Sequence, residues 1–484
     1  MLTKRVPIIA HVMGVSVLLL VSVPATAQGG REVSPGRALS IYAPNPAYFQ
    51  SADGKPVVMI GDYQASPTAP TAVPIDPDYD YQVYLDTLKA SGLNFAKVWI
   101  FYGLEAEYDS ETPFDDYHRF NLLPYLRVGP GLANDGRPKY DLTQFNPLYF
   151  ERLAAFCAAA CERGIYLHLV LIDAWDFRIP ALWKFHAYNR ANNVNGVDGD
   201  PKGTGLATDP EQGACSLGNT QLLEAEKAYL RRTVDAVNDF DNILFEVANE
   251  NYYNLRWEQS IAEYVHEYEK SKPRQHLVMP MDLPDHDYAG PSYDARQHVE
   301  YDKTWKTWDL PRLHARLLAG RNLKQPLIFD PDGIESNDNP VQRKAFWTAF
   351  VSGGHVNYTD YSFQPEVGGD ERGVRRAELR RQLGHLAAFT RQVHFWEMHP
   401  VDWVRSGEAY ALASPQEAAL YLPSGGNVEV DMQGMPGSFR AKWFNPRNGL
   451  FSEVSTVVGG KVQTFAAPDL RDWVLYLQKE GVSQ

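Results

Sequence analysis

Cysteine is scarce in this 484-residue chain: Cys157, Cys161 and Cys215 are the only three. Three thiols cannot staple a fold of this size, so a hydrophobic core has to hold it, and at least one thiol cannot pair within the chain. Basic charge is short too, with 46 Lys and Arg against 60 Asp and Glu and a net charge of −14. A field of that sign disfavours nucleic acid, anionic lipid and strongly anionic polymers as partners, leaving only a local basic pocket open to them. Beyond the N-terminal segment no apolar run approaches the roughly 20 residues that span a bilayer. No internal repeat or low-complexity linker interrupts the sequence, as expected of packed globular domains.

What is present begins with a leader. Lys4 and Arg5 precede an apolar run to about Val23, and Ala25-Thr26-Ala27 supplies small residues before Gln28. This order predicts a signal peptide over 1–27 and a mature, soluble protein that is secreted or periplasmic. Membrane anchoring is the rival, opposed by His11, Gly14 and Ser16 inside the run, and no cysteine stands at the cleavage point to take a lipid. Hydrophobic residues make up 44% of the chain, enough for a large core and more than one domain. Eleven Trp and 27 Tyr suit sugar rings by their flat faces, although core packing is their commoner use. Cys157 and Cys161 stand four apart on a predicted helix, but no His or Cys joins them at ligand spacing, so no metal is expected there.

Strand and helix patterns alternate through most of the chain, an order that predicts a parallel sheet covered by helices. Eight strand candidates lie at 57–63, 95–101, 166–173, 242–250, 276–283, 298–303, 325–330 and 355–362. Between them run segments of helical period such as YFERLAAFCAAACERG and LLEAEKAYLRRTVDAV. Eight such units predict a (β/α)₈ TIM barrel. An open doubly wound sheet is the alternative, but its first turn lacks a Gly-rich dinucleotide fingerprint. Two insertions, about 103–147 and 177–218, follow C-terminal ends of strands, the face that carries barrel active sites. The second contains NRANNVNGVDGDPKGTG, read as a plain surface loop, with a mobile substrate loop or a calcium loop as alternatives; its spacing is not that of an EF-hand. After a long helix near 371–393 the pattern turns to short alternating strands, which predicts a small all-β sandwich. The expected domains are therefore a leader over 1–27, a barrel over 28–394 and a β-sandwich over 395–484.

Hydrolysis of a glycosidic bond needs two carboxyl groups, about 5–5.5 Å apart when configuration is retained. The fourth strand ends FEVANEN, which sets Asn249 and Glu250 at the rim where barrel catalysis occurs. An Asn beside a Glu also reads as a turn with a helix N-cap, since Asn251 and a helix after Leu255 lie just downstream. FEVANE resembles the FE-x-x-NE motif of cellulase-like and apiosidase-like glycoside hydrolases of clan A, and the resemblance covers about 40–395. It implies that Glu250 is the acid/base and that Asn249 hydrogen-bonds the sugar hydroxyl next to the scissile bond. Glu246 falls inside the strand and reads as structural, because a buried charge needs a partner.

The same resemblance places the nucleophile, normally a Glu, at the end of the seventh strand, where this chain reads QPLIFDPDGIES. Asp330 takes that place, with Asp332 and Glu335 as alternatives; an Asp-Pro-Asp-Gly turn is the bland reading. An Asp is one bond shorter than a Glu, so either the backbone moves inward or the carboxyls stand farther apart, which would favour inversion. Asp62, Tyr63, Trp99, His168, Trp175, Tyr301 and Tyr361 are candidate substrate-binding residues at strand ends, to be sorted by strand parity. The region of about 395–480, with its segments WFNPRNGLFSEV and TFAAPDLRDWVLYL, resembles a collagen-binding-type β domain attached to such barrels. Nothing in the residues marks a groove for a triple helix; Arg447, Asp472 and Trp473 read as internal turns and domain contacts, and the domain as a brace rather than an independent binder. The expectation is a retaining glycoside hydrolase acting on a carbohydrate substrate without cofactor, against a sugar-binding pseudoenzyme or an adhesin-like module.

Overall fold

The computed structural model describes residues 38–64, 80–101, 105–106, 118–119, 122–251, 254–280, 294, 296–299, 309–321, 324–330, 339–358, 371–453 and 455–481. The predicted leader lies outside them. Eight short parallel strands build the barrel: β1 (Gly61–Gln64), β2 (Phe95–Trp99), β3 (Tyr166–Asp173), β4 (Ile243–Asn249), β5 (Leu277–Met279), β6 (Arg296–Val299), β7 (Leu327–Asp330) and β8 (His355–Val356). Pairing runs without a break from β5 through β4, β3 and β2 to β1, and separately from β6 through β7 to β8. A bridge from Ile60 to Val356 joins β1 to β8. On the other side Asp294 donates its N–H to the Val278 carbonyl and accepts the Val278 N–H on its carboxylate, both at 2.9 Å, tying β5 to the approach of β6. Each strand overlaps a segment expected from sequence; β6 starts two residues early, at Arg296, where it meets Leu327 of β7.

Seven longer helices among the described residues cover the strands: α1 (Tyr81–Ala90), α2 (Pro147–Arg163), α3 (Thr220–Val237), α4 (Leu255–Glu269), α5 (Leu310–Arg321), α6 (Asn339–Val351) and α7 (Glu371–Thr390). Local chemistry sets their ends. In α2 the Asn146 side chain caps the Leu148 N–H, Pro147 opens the first turn, and Gly164 closes the helix at φ 71°. Its buried face, including Tyr149, Leu153, Phe156, Cys157 and Cys161, recurs at helical spacing. Burial of each such large side chain contributes roughly 1.5–3 kcal/mol. All three cysteines are buried thiols outside any disulfide.

Inside the barrel the lower layer is apolar: Met59, Phe95, Tyr166, Leu244, Leu277, Met279 and Ile328 pack together, with Leu39 and Phe49 from the segment ahead of β1 closing the bottom. Gly61 lies so close to β2 that a Cβ would sit 1.8 Å from the Phe95 carbonyl oxygen, so only glycine fits there.

The Asn-rich insertion is an irregular segment, exposed at 201–205 and held by its own amides where Asn192, Asn193 and Val197 are buried. Asn193 Nδ2 donates to the carbonyls of Ala187, Asn189 and Val197, and its Oδ1 accepts the Val197 N–H. Asn192 donates to the Lys184 and His186 carbonyls and accepts from Asn134 N–H, while Asn195 receives the Leu142 N–H. Those last two bonds lace the second insertion to the hairpin of the first, Tyr125–Leu132 with Pro138–Phe145. Asn abounds here because its short amide replaces backbone partners that an irregular chain lacks.

The C-terminal strands form two antiparallel sheets packed as a sandwich. One holds His399–Val401, Tyr410–Ala413, Glu417–Leu422, Trp473–Lys479, Ser438–Asn445 and Leu450–Phe451 in that order, with Ser455–Val458 alongside Ser438–Asn445; the other holds Val404–Ser406, Asn427–Asp431 and Val462–Ala466. The central strands of the larger sheet, Tyr410–Ala413, Glu417–Leu422 and Trp473–Lys479, are buried on both faces. One face shares Leu420, Leu475 and Leu477 with the small sheet. The other gives Tyr421, Phe444 and Tyr476 to the barrel's own core. Trp347 of α6 stacks on Tyr421 at 6.0 Å, and Phe389 of α7 meets Phe444 at 5.1 Å. At the edge of this contact the Arg343 guanidinium grips Asp472 through two 2.8 Å bonds, both groups buried. Arg447 joins them, 3.1 Å from Asp472 and stacked over the Trp473 ring, as their sequence positions suggested.

Candidate active site

The C-terminal rim of β3 and β4 carries the first group of polar side chains. Asp173 and Asn249 are register partners, and the Asn249 amide donates to Asp173 Oδ1 at 3.0 Å. Glu250 comes next with φ 53°, a left-handed backbone that costs a non-glycine residue of order 1–3 kcal/mol and persists where the surroundings over-determine it. Its carboxylate forms an ion pair with Arg178, at the end of the short turn Ala174–Phe177 after β3. The turn-and-cap reading holds in part: Glu250 is a turn residue and a helix cap follows, although at neither Asn249 nor Asn251. The cap of α4 is Asn254, whose Oδ1 receives the Trp257 N–H at 3.2 Å, and Asn251 in turn holds Asn254.

A second group lies deeper, within the strands. Lys97 Nζ of β2 stands 3.2 Å from Glu246 Oε2 of β4 and 3.1 Å from Asp330 Oδ2 of β7. Because β2 and β7 are not neighbours, these contacts can only be made through the barrel interior. His168 Nε2 lies 2.7 Å from Glu246, and the ammonium sits 4.9 Å above the Trp99 ring. All four charged or ionisable side chains are essentially buried. Burial works to raise the pKa of Glu246, but Lys97 and His168 together outweigh it and hold the carboxyl below its ordinary value. Burial likewise pushes the His168 pKa down, against the pull of Glu246. Glu246 is thus a paired structural charge. Asn357, just past β8 and beside Asp330 in the register extended from Phe329 and Val356, is fully buried with no partner for its amide among the described residues.

The candidate residues divide accordingly. Glu250 and Asn249 stand at the rim; Trp99, His168 and Asp330 point into the barrel. Asp62 turns the other way: its carboxylate accepts from the Tyr84 hydroxyl of α1 at 2.6 Å and is fully buried, so it faces the helix layer instead of the cleft. Trp175 sits on the turn after β3, its N–H 3.3 Å from Asp173. Tyr63 lies on β1, its side chain outside the described residues, as are Tyr301, Tyr361, Asp332 and Glu335. Lys97, Arg178 and Asn357 went unnoticed in the sequence. A lysine in the middle of the apolar strand FAKVW was the one available signal.

Among protein families, one described as "Putative collagen-binding domain of a collagenase" matches residues 403–478. Another, described as "Domain of unknown function (DUF6298)", matches residues 112–284, a stretch that takes in most of the first rim insertion, all of the second, and β4. Curated proteins give no match. Among solved structures, one described as "Glycoside hydrolase" is 15% identical over 93% of this chain and 98% of its own, with a TM-score of 0.63. A glycoside hydrolase family 5 structure from Bacteroides vulgatus is 14% identical over 92% of this chain and 94% of its own, with a TM-score of 0.62. The fold is therefore the one those glycoside hydrolases have, a TIM barrel followed by a β domain.

Proposed function

We propose that this protein is an exported glycoside hydrolase that cleaves O-glycosidic bonds of plant or microbial oligo- or polysaccharides with retention. The observation that carries this reading is the Asn249–Glu250 pair at the mouth of β4, held in a strained backbone on a fold shared with glycoside hydrolases. Glu250 gives its proton to the glycosidic oxygen as the bond to the anomeric carbon breaks, and Asp330 bonds that carbon. Glu250 then takes a proton from water, the water oxygen attacks the anomeric carbon, and Asp330 leaves. Lys97 favours the anionic form that a nucleophile needs. Arg178 favours the carboxylate of Glu250, so the entering sugar has to displace the guanidinium before Glu250 carries a proton. No cofactor enters the reaction.

A screen against aryl glycosides and plant polysaccharides identifies the substrate, and Glu250→Gln tests the reading on it. The amide keeps the shape but cannot donate a proton, so turnover of poor leaving groups falls roughly 10²–10⁴-fold while sugar binding survives. Near wild-type turnover sinks the assignment. One observation favours a second reading, sugar binding without turnover: Asp330 is only 2% exposed and already paired with Lys97. Affinity for a sugar with no turnover of any substrate would establish it. Export is tested separately by N-terminal sequencing of the protein outside the cytoplasm, expected to begin near Gln28.

A further inference from the structure

Asp173 touches both arms of the rim. Its Oδ1 accepts from Asn249 Nδ2 at 3.0 Å and from the Trp175 N–H at 3.3 Å. The first bond fixes the amide. An ionised carboxylate can only accept, so the Asn249 face turned to it has to be the NH₂ end, and the planar amide then directs its carbonyl oxygen and second N–H elsewhere. The second bond caps the turn Ala174–Phe177, whose next residue is Arg178, the partner of Glu250. One side chain thereby holds the amide before Glu250 and the turn that presents a guanidinium to Glu250.

Resting on the glycosidase reading, we propose that Asp173 is a positioning residue whose charge state sets the orientation of Asn249 and, through the turn, the placement of Arg178 against Glu250. Protonation removes the exclusivity. A neutral carboxyl offers both a donor and an acceptor, so Asn249 can present either end of its amide. The group is placed to titrate in the working range: burial is the largest influence and pushes it up to about 7, against the Asn249 and Trp175 hydrogen bonds and Arg178, while Glu246 of β4 adds to the rise. Asp176 is a further acidic residue on the same turn.

The test compares the wild type with Asp173→Asn, which keeps the shape and has no charge to lose. On an aryl glycoside that the wild type turns over, wild-type kcat falls as pH drops through about 7, since the ionised form is the orienting one. Asp173→Asn runs at the wild-type low-pH level throughout that range, with kcat lowered about tenfold above pH 7, KM changed far less, and the step gone from its profile. Wild-type kcat with the same limb in Asp173→Asn overturns the proposal; so does a loss that tracks a lower Tm at every pH, which marks a merely structural role. If the wild type hydrolyses nothing, the glycosidase reading has failed but the coupling is still measurable. The side-chain ¹⁵N–¹H₂ signal of Asn249, assigned with Asn249→Asp, moves with a midpoint near 7 in the wild type and is stationary in Asp173→Asn. A signal that does not titrate in the wild type, or titrates equally in both, overturns it independently of activity.

Discussion

Lys97 and Asp330 meet inside the barrel, Nζ to Oδ2 at 3.1 Å, although 233 residues of chain separate them. The same ammonium holds Glu246 at 3.2 Å, so one cation serves two buried carboxylates from strands on opposite sides of it. Removing it takes from both anions the cation they share. Lys97→Met is therefore expected to lose about 3–5 kcal/mol of stability, the range for breaking a buried pair. Denaturant midpoints measure this, and Lys97→Met combined with Glu246→Gln should recover part of the loss, as coupled neighbours do. An unchanged midpoint would show that the cluster is not held by charge.

Asp330 faces a sharper chemical test. As a nucleophile, its replacement in Asp330→Ala should abolish turnover, and azide should restore it on an activated substrate by occupying the vacated space. The product from the variant is a glycosyl azide of inverted configuration, beside retention in the wild type, both read by NMR. Inversion by the wild type would recast Asp330 as a base that activates water. Activity kept in Asp330→Asn but lost in Asp332→Asn or Glu335→Gln would move the role along the chain.

Two buried histidines each contribute stability that acid removes. His355 Nδ1 accepts the Met59 N–H at 2.9 Å and its Nε2 lies 3.0 Å from the Ala47 carbonyl, an arrangement that only the neutral ring satisfies. Burial lowers the pKa of His355 and of His186 to about 3. Between about 3 and 6.5 the unfolded chain then binds protons that the native state refuses, so stability falls as pH falls through that window. Asp173 and Glu226, raised by burial to about 7, act in the opposite sense, because the native state holds their protons more tightly between about 4 and 7. The difference between variants isolates one group. His355→Gln can accept from Met59 and donate to Ala47 without titrating, and should flatten the slope by about 1.4 kcal/mol per pH unit between pH 4 and 6. Parallel slopes for variant and wild type would assign the acid sensitivity elsewhere.

The β domain and the barrel should unfold together. Burial alone would raise the Asp472 carboxyl, but Arg343 and Arg447 overcome it and hold the pKa below the usual value. Arg343→Met breaks a two-bond buried pair and should lower stability by about 3–5 kcal/mol, leaving kcat unchanged at temperatures where the variant stays folded. Calorimetry checks this: one transition shifted downward is expected, whereas a wild type that melts in two separate steps would mean independent domains.

Much of the architecture is legible in one dimension. The β/α alternation, the Pro147 and Gly164 ends of α2, the two rim insertions and the switch to short strands near residue 399 all arise from local periodicity and backbone chemistry, which act over a few residues. The motif FEVANE likewise sets Asn249 and Glu250 at a strand end by pattern alone. The Asn-rich insertion is harder, because polarity marks a segment as irregular but not as packed; only the hydrogen bonds of Asn192, Asn193 and Asn195 distinguish a built wall from a loose loop.

Which way a strand residue faces was decided in three dimensions. Asp62 and Lys97 both sit on short strands, yet one turns to Tyr84 in the helix layer and the other into the barrel, since strand side chains alternate and a shift of one residue exchanges the two faces. The pairing of Arg178 with Glu250 and of Asp173 with Asn249 depends on β3 lying beside β4, and that of Lys97 with Asp330 on closing the barrel, so residues between 72 and 233 positions apart come together. Sequence determined what kinds of side chain stand at the strand ends. Only the closed barrel decided which of them share a charge, because Coulomb and hydrogen-bond terms act over a few ångströms of space and are indifferent to distance along the chain.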